Sequence, residues 1–204
     1  MQVIVVRHGE SEANQQGVIQ GRLDRRITDR GHRQVIALGA ALADYSVSHI
    51  YTSPASRAKS TARVLANQFS CLLTCDERLH ERHFGVLQGM QFAQTLREYP
   101  GMAERLLSGS PQTAIPGGET VFDVSNRLLS FLKELSGKHE DKTVIIVSHG
   151  HALEILIWKL KGGAINDDLR RYGHQNAAYS VLNVGGEAIE LTSWGRATHL
   201  KNTD

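Results

Sequence analysis

An apolar run, Val3-Ile4-Val5-Val6, ends abruptly in Arg7-His8-Gly9. A strand of that kind delivers a guanidinium and an imidazole together at its carboxyl end, where open α/β sheets hold their ligands. A guanidinium forks onto phosphate oxygens, and a neutral imidazole beside it can attack phosphorus. A second run, Thr143-Val144-Ile145-Ile146-Val147, ends in Ser148-His149-Gly150 with the same grammar. Parallel strands of one sheet bring their carboxyl ends together, so His8 and His149 are expected to face one pocket. Arg57 falls one turn into the helix expected after Thr52-Ser53-Pro54, and a helix N-terminus there favours an anion. Glu81 stands in the loop Leu79-His80-Glu81-Arg82-His83-Phe84-Gly85. Two imidazoles, two guanidiniums and one carboxylate thus collect at element ends.

The elements that must position them read as follows. Residues 2–7 form a strand, and residues 8–29 a polar loop. Thr28 caps a helix over about 29–43, with Val35, Leu38, Ala41 and Leu42 on one face. His49–Thr52 is a short strand. Ser53 and Pro54 read as the N-cap and first position of a helix reaching about Gln68. Cys71–Cys75 is a third strand. Residues 79–118 break the alternation with repeated Gly and Pro, hold short helices near 91–98 and 102–108, and suggest a cap inserted over a site. Thr120 starts an amphipathic helix, the β-branched run 143–147 is a buried central strand, and a helix follows to about Leu160. Strands at 177–184 and 187–194 flank Gly185-Gly186 as a hairpin. The expected fold is a single-domain, three-layer α/β/α sandwich with a mostly parallel central sheet.

Bulk properties narrow the function. The chain has 204 residues, 41% apolar, with a formal net charge of +2. That charge gives no argument for a nucleic-acid partner. No apolar stretch is long enough to cross a bilayer, and the N-terminus lacks a secretory pattern, so a cytoplasmic location is expected with no membrane partner. The expected partner is a small-molecule phosphate ester. Cys71 and Cys75 lie roughly 13 Å apart along a strand, too far to bridge, and read as small buried hydrophobes. No zinc-type spacing or acidic metal cage is visible, so neither metal nor other cofactor is expected. His32, His49, His80, His139, His174 and His199 read as surface or packing residues, and His83 and His151 as neighbours of the site. Arg22, Arg25 and Arg26 read as a solvated basic loop or a contact for a second anionic group. The sequence does not fix an oligomeric state.

Five motifs in order bring out a family resemblance. Arg7-His8-Gly9-Glu10-Ser11 continues to Asn14 and Gln20-Gly21. Thr52-Ser53-Pro54-Ala55-Ser56-Arg57-Ala58 continues to Thr61. Leu79-x-Glu81-Arg82-x-Phe84-Gly85-x-Leu87-Gln88-Gly89, Pro116-Gly117-Gly118-Glu119-Thr120 and Ser148-His149-Gly150 follow. Together they resemble the histidine phosphatase superfamily, in its phosphoglycerate-mutase-like branch, over nearly the whole chain. The resemblance implies that His8 is the nucleophile of a phosphohistidine, with Arg7, Arg57 and His149 neutralising the phosphoryl oxygens. A backbone carbonyl accepting from the other ring nitrogen of His8 would fix its tautomer. Glu81 is the expected general acid and then base. Asn14, Gln20, Gly21 and Gly150 are expected to contact substrate.

Three departures from the cofactor-dependent mutases favour hydrolysis over phosphoryl shuttling. Phe84 stands where those mutases usually carry tyrosine, and Phe92 where they carry a lysine for the substrate carboxylate. Residues 100–118 are short and hold only Arg105. Met90, Phe92, Leu96, Met102, Leu106 and Leu107 make the expected cap apolar. Glu154 also stands where many relatives carry arginine. The expected activity is a metal-independent phosphomonoesterase, with cofactor-dependent phosphoglycerate mutase as the alternative. A non-catalytic phospho-ligand module and a phosphoprotein phosphatase are less well supported, since His8, Arg57 and Glu81 are all present and no long tail is visible.

Overall fold

The computed structural model describes residues 1–186, 188–201 and 203. Glu187, where the last strand is expected to start, lies outside the described residues. In chain order the main elements are β1 (Gln2–Arg7), α1 (Glu12–Gln15), α2 (Asp29–Ala41), β2 (Val47–Thr52), α3 (Ser56–Phe69), β3 (Leu72–Cys75), α4 (Phe92–Glu98), α5 (Pro100–Leu107), α6 (Val121–Lys138), β4 (Thr143–Ser148), α7 (Gly150–Leu160), β5 (Tyr179–Gly185) and β6 (Ala188–Arg196). Among the described residues six strands form one sheet in the order β3-β2-β4-β1-β5-β6. The first four run parallel, and β5 and β6 are antiparallel.

The uninterrupted apolar runs follow from burial on both faces. Val3 and Val5 of β1 and Val144 and Ile146 of β4 pack against α6 and α7. Their alternating neighbours Ile4, Val6, Ile145 and Val147 pack against α2 and α3. Each such side chain, fully removed from water, contributes about 1.5–3 kcal/mol. The two central strands are therefore a rigid base for whatever stands at their ends. β1 and β4 pair in register from Gln2–Thr143 to Arg7–Ser148, which sets His8 and His149 one residue past adjacent strand ends.

Local signals set most helix starts. Thr28 Oγ1 accepts the Gly31 N–H at 3.0 Å to begin α2, and Thr120 and Asp123 form a capping box at α6. Three readings need correction. α3 begins at Ser56 with Ala55 as its cap residue and no side-chain cap, so Ser53 and Pro54 precede the helix. The stretch 8–29 is not all loop, because Ser11 and Asn14 form a capping box around the short α1. Cys71 is half-buried and Cys75 exposed. Cys71 precedes β3 and Cys75 ends it, and β3 is an edge strand of the sheet.

Candidate active site

His8 is buried, and its ring is held at both nitrogens. Nδ1 lies 2.7 Å from the carbonyl oxygen of Gly9. Nε2 lies 3.2 Å from Nε of Arg57, which can only donate. The ring therefore carries its proton on Nδ1 and keeps a lone pair on Nε2. Burial first, then the Arg57 and Arg7 guanidiniums, hold its pKa well below the ordinary imidazole value. Arg57 is itself buried and clamped, donating Nη1 to the Leu23 carbonyl at 2.9 Å and Nη2 to the Gly21 carbonyl at 2.8 Å. Gly21 makes that clamp possible: its φ is +52°, and a Cβ there would lie 2.1 Å from Oε1 of Gln88. Arg7 donates Nη1 to the His174 carbonyl, while its buried Nε has no partner among the described residues.

His149 meets His8 edge-on, ring centroids 5.1 Å apart. Its Nε2 lies 2.8 Å from Ser53 Oγ, and its buried Nδ1 has no partner among the described residues. Burial, Arg57 and His8 push its pKa well below the ordinary value as well. Glu81 accepts the N–H groups of Arg82 at 2.9 Å, Ala152 at 2.8 Å and His151 at 3.2 Å. Two of those donors are the first turn of α7, so the helix N-terminus grips this carboxylate. The Arg82 guanidinium turns elsewhere, to the carbonyls of Glu119 and Thr113 at 2.8 and 2.6 Å. Gly150, at the start of α7, admits Arg7: a Cβ there would lie 3.1 Å from the guanidinium carbon.

Four of these groups share one cavity of about 260 Å³, whereas His149 lies behind His8 and does not line it. Arg7, His8, Arg57 and Glu81 line its floor, with Asn14, Gln20, Gly21 and Gly150 beside them. Phe84, Phe92, Leu106, Leu169, Arg170 and Glu154 line the outer wall. Residues 3–197 match the family model of the histidine phosphatase superfamily, branch 1. The chain belongs to the histidine phosphatase superfamily.

Relatives and solved members of the superfamily cover most of the chain. A "probable phosphoglycerate mutase GpmB" of Salmonella choleraesuis (strain SC-B67) is 34% identical over 79% of this chain and 75% of that protein. Bacillus stearothermophilus YhfR superposes with a TM-score of 0.92 at 27% identity, covering 98% of this chain and 99% of that one. The mycobacterial glucosyl-3-phosphoglycerate phosphatase Rv2419c gives 0.86 at 27% identity, covering 96% of this chain and 99% of that one. The α/β sandwich is thus the superfamily's fold.

Within this superfamily frame the sequence-derived residues sort by what they touch. Asn14 Oδ1 accepts from Ser11 N–H at 3.1 Å, Ser11 Oγ at 2.9 Å and Asn176 Nδ2 at 3.1 Å. Its amide NH₂ is what remains for the cavity. Gln20 donates to Ser11 Oγ at 2.8 Å and leaves a buried Oε1 unpartnered among the described residues. Gly21 works through its carbonyl on Arg57, and Gly150 through the room it leaves for Arg7. Arg22 pairs with Glu119 at 3.0 Å and Arg25 with the Asp24 carbonyl at 3.0 Å, and neither lines the cavity. Of the apolar residues expected in the cap, Phe92 and Leu106 line the cavity, whereas Leu96 and Leu107 are exposed and Met90 and Met102 pack against Phe84, Leu87 and Ile115. Among the described residues no group of three or more His, Cys, Asp or Glu is placed to hold a metal ion, and no helix is long and apolar enough to cross a membrane.

Sequence reasoning missed Ser53, read as a helix cap. The available signal was its place just past the end of β2, beside the end of β4. It also set His174 among ordinary packing residues. His174 is buried, bonded through its ring to Ser180 Oγ at 2.7 Å, and its carbonyl holds Arg7.

Proposed function

We propose that the protein is a phosphomonoesterase that hydrolyses small organic phosphate esters through a phosphohistidine on His8. One observation carries the reading: the His8 ring, with a lone pair on Nε2, lines a cavity together with the Arg7 and Arg57 guanidiniums, and the buried His149 ring meets it edge-on. Arg7, Arg57 and His149 draw off negative charge from the equatorial oxygens as Nε2 attacks phosphorus. The cationic side chains grip the phosphoryl group without a metal ion. Glu81 protonates the departing alkoxide, with Oε2 the oxygen concerned because it holds the single, longer N–H bond. It then takes a proton from the water that displaces phosphate from His8. Residues 79–118 act as the cap, supplying Phe84, Phe92 and Leu106 to the wall.

Phosphoglycerate mutase is the competing reading, favoured by the name the Salmonella relative carries. Against it stand the aromatic wall at Phe84 and Phe92 and the position of Arg105, whose Nε bonds the Gly101 carbonyl at 3.2 Å away from the cavity. The decisive experiment measures phosphate release from an aryl phosphate in the presence of chelator, beside interconversion of 2- and 3-phosphoglycerate. Hydrolysis that survives chelator and disappears in His8→Ala is expected. Efficient interconversion with little phosphate released from any ester would overturn the proposal.

A further inference from the structure

We infer that Glu154 is a specificity-determining residue, selecting esters whose leaving group carries neutral hydroxyl donors and rejecting those with a carboxylate beside the phosphate. The inference rests on the phosphatase reading and concerns the outer half of the same cavity. Glu154 follows Gly150 by four residues on α7, one turn along the same helix face, and both line the cavity. Its carboxyl is half-buried in the cavity wall. A half-buried carboxyl lining a cavity is placed to exchange hydrogen bonds with whatever enters.

The charges around Glu154 decide what can enter. Arg7 is the nearby cation, and its task is the phosphoryl group. Arg170 lines the cavity too, but Asp168 holds its guanidinium in a fork of 2.9 and 2.7 Å. The second carboxyl in the cavity, Glu81, offers no positive charge either. Burial and that neighbour push the Glu154 carboxyl up to about 8. Protonated, Glu154 exchanges hydrogen bonds with a hydroxyl, and ionised it accepts from one. In neither state does it offer positive charge to an incoming carboxylate. The apolar wall of Phe84, Phe92 and Leu106 offers no cation either. Such a site discriminates by what it refuses as well as by what it binds. A cavity of about 260 Å³ holds a phosphate and one small polyol or sugar ring rather than an extended chain.

Glycerol 3-phosphate and 3-phosphoglycerate form the matched test pair, differing by a hydroxymethyl against a carboxylate. kcat/KM is measured for each with wild type, Glu154→Gln and Glu154→Arg, and thermal melts check folding. Wild type is expected to prefer glycerol 3-phosphate by about tenfold or more. Glu154→Gln is expected to shrink that ratio, and Glu154→Arg to invert it. If the Arg variant does not fold, the Gln variant alone decides. Inhibition of aryl phosphate hydrolysis by each ester gives the same ranking from binding. No wild-type preference, or a ratio unmoved in the folded variants, overturns the inference while leaving the phosphatase reading intact. No phosphate release from the aryl ester by wild type overturns the phosphatase reading, and the inference falls with it.

Discussion

The ends of β1 and β4 carry the same three-part pattern, a polar residue, a histidine and a glycine, yet the two histidines are held differently. His8 spends its Nδ1 proton on its neighbour's carbonyl and presents Nε2 to Arg57. His149 ties Nε2 to Ser53, and its buried Nδ1 has no partner among the described residues. The glycines differ as well. Gly150 makes room for Arg7, whereas Gly9 closes against α2, where a Cβ would lie 2.7 Å from the Gly31 carbonyl. These contacts fit the proposed roles, one ring giving a lone pair and the other assisting as a hydrogen-bonding neighbour. Equal motifs do not make equal roles; the partner of each ring nitrogen does.

Removing each ring separates the roles most sharply. His8→Ala is expected to lower kcat/KM on the order of 10⁴-fold or more, the scale for losing a nucleophile. His149→Ala should cost on the order of 10²–10³-fold, the scale for losing one donor to developing charge. Rapid-quench trapping of an acid-labile phosphoenzyme checks the assignment: His149→Ala should still form it and His8→Ala should not. Label trapped in His8→Ala would reverse the comparison.

The glycine asymmetry predicts the next effect. Gly150→Ala drives a methyl against the Arg7 guanidinium, and a misplaced phosphate grip should lower kcat/KM by roughly 10- to 100-fold. A crystal structure of the variant should show Arg7 shifted with His8 in place. Ser53→Ala removes the partner of His149 Nε2 and should cost about tenfold, equivalent to one ordinary buried hydrogen bond. A loss as large as that of His149→Ala would mean that Ser53 fixes the ring outright.

The smallest effects concern stability against pH. Buried His8 and His149 have native pKa values well below the unfolded one near 6.5, and His174 falls to about 4. The unfolded chain takes up these protons first, so stability present above about pH 6.5 is lost as pH falls toward 4. Urea midpoints measured at pH 7 and 5 should drop, and drop less in His8→Gln. Glu154 runs the other way. With its native pKa raised to about 8, the native state loses stability as pH rises from the ordinary carboxylate range toward 8. Glu154→Gln should therefore raise Tm more at pH 9 than at pH 5.

Much of this was legible in the chain. The runs at 3–6 and 143–147 named the central strands because only residues buried on both faces can be apolar without alternation. Arg7, His8, Arg57, Glu81 and His149 were readable because each sits beside a local marker: a strand end, a helix start or a glycine turn. Ser53 was not, because a serine before a proline has the look of a helix cap, and its true partner lies 96 residues away. Cys71 and Cys75 were misread because edge position depends on which strands pair, and no four-residue stretch encodes that.

The amino-acid order alone determined the strands, the capped helices and the residues of the candidate site, since periodicity, turn residues and caps act over a few positions. Which partner each imidazole nitrogen meets, which carbonyls clamp Arg57 and which carboxyl lines the cavity wall were decided only by the folded chain. Those outcomes depend on strand register and burial, which bring residues tens to more than a hundred positions apart into contact, and such contacts leave no local pattern to read.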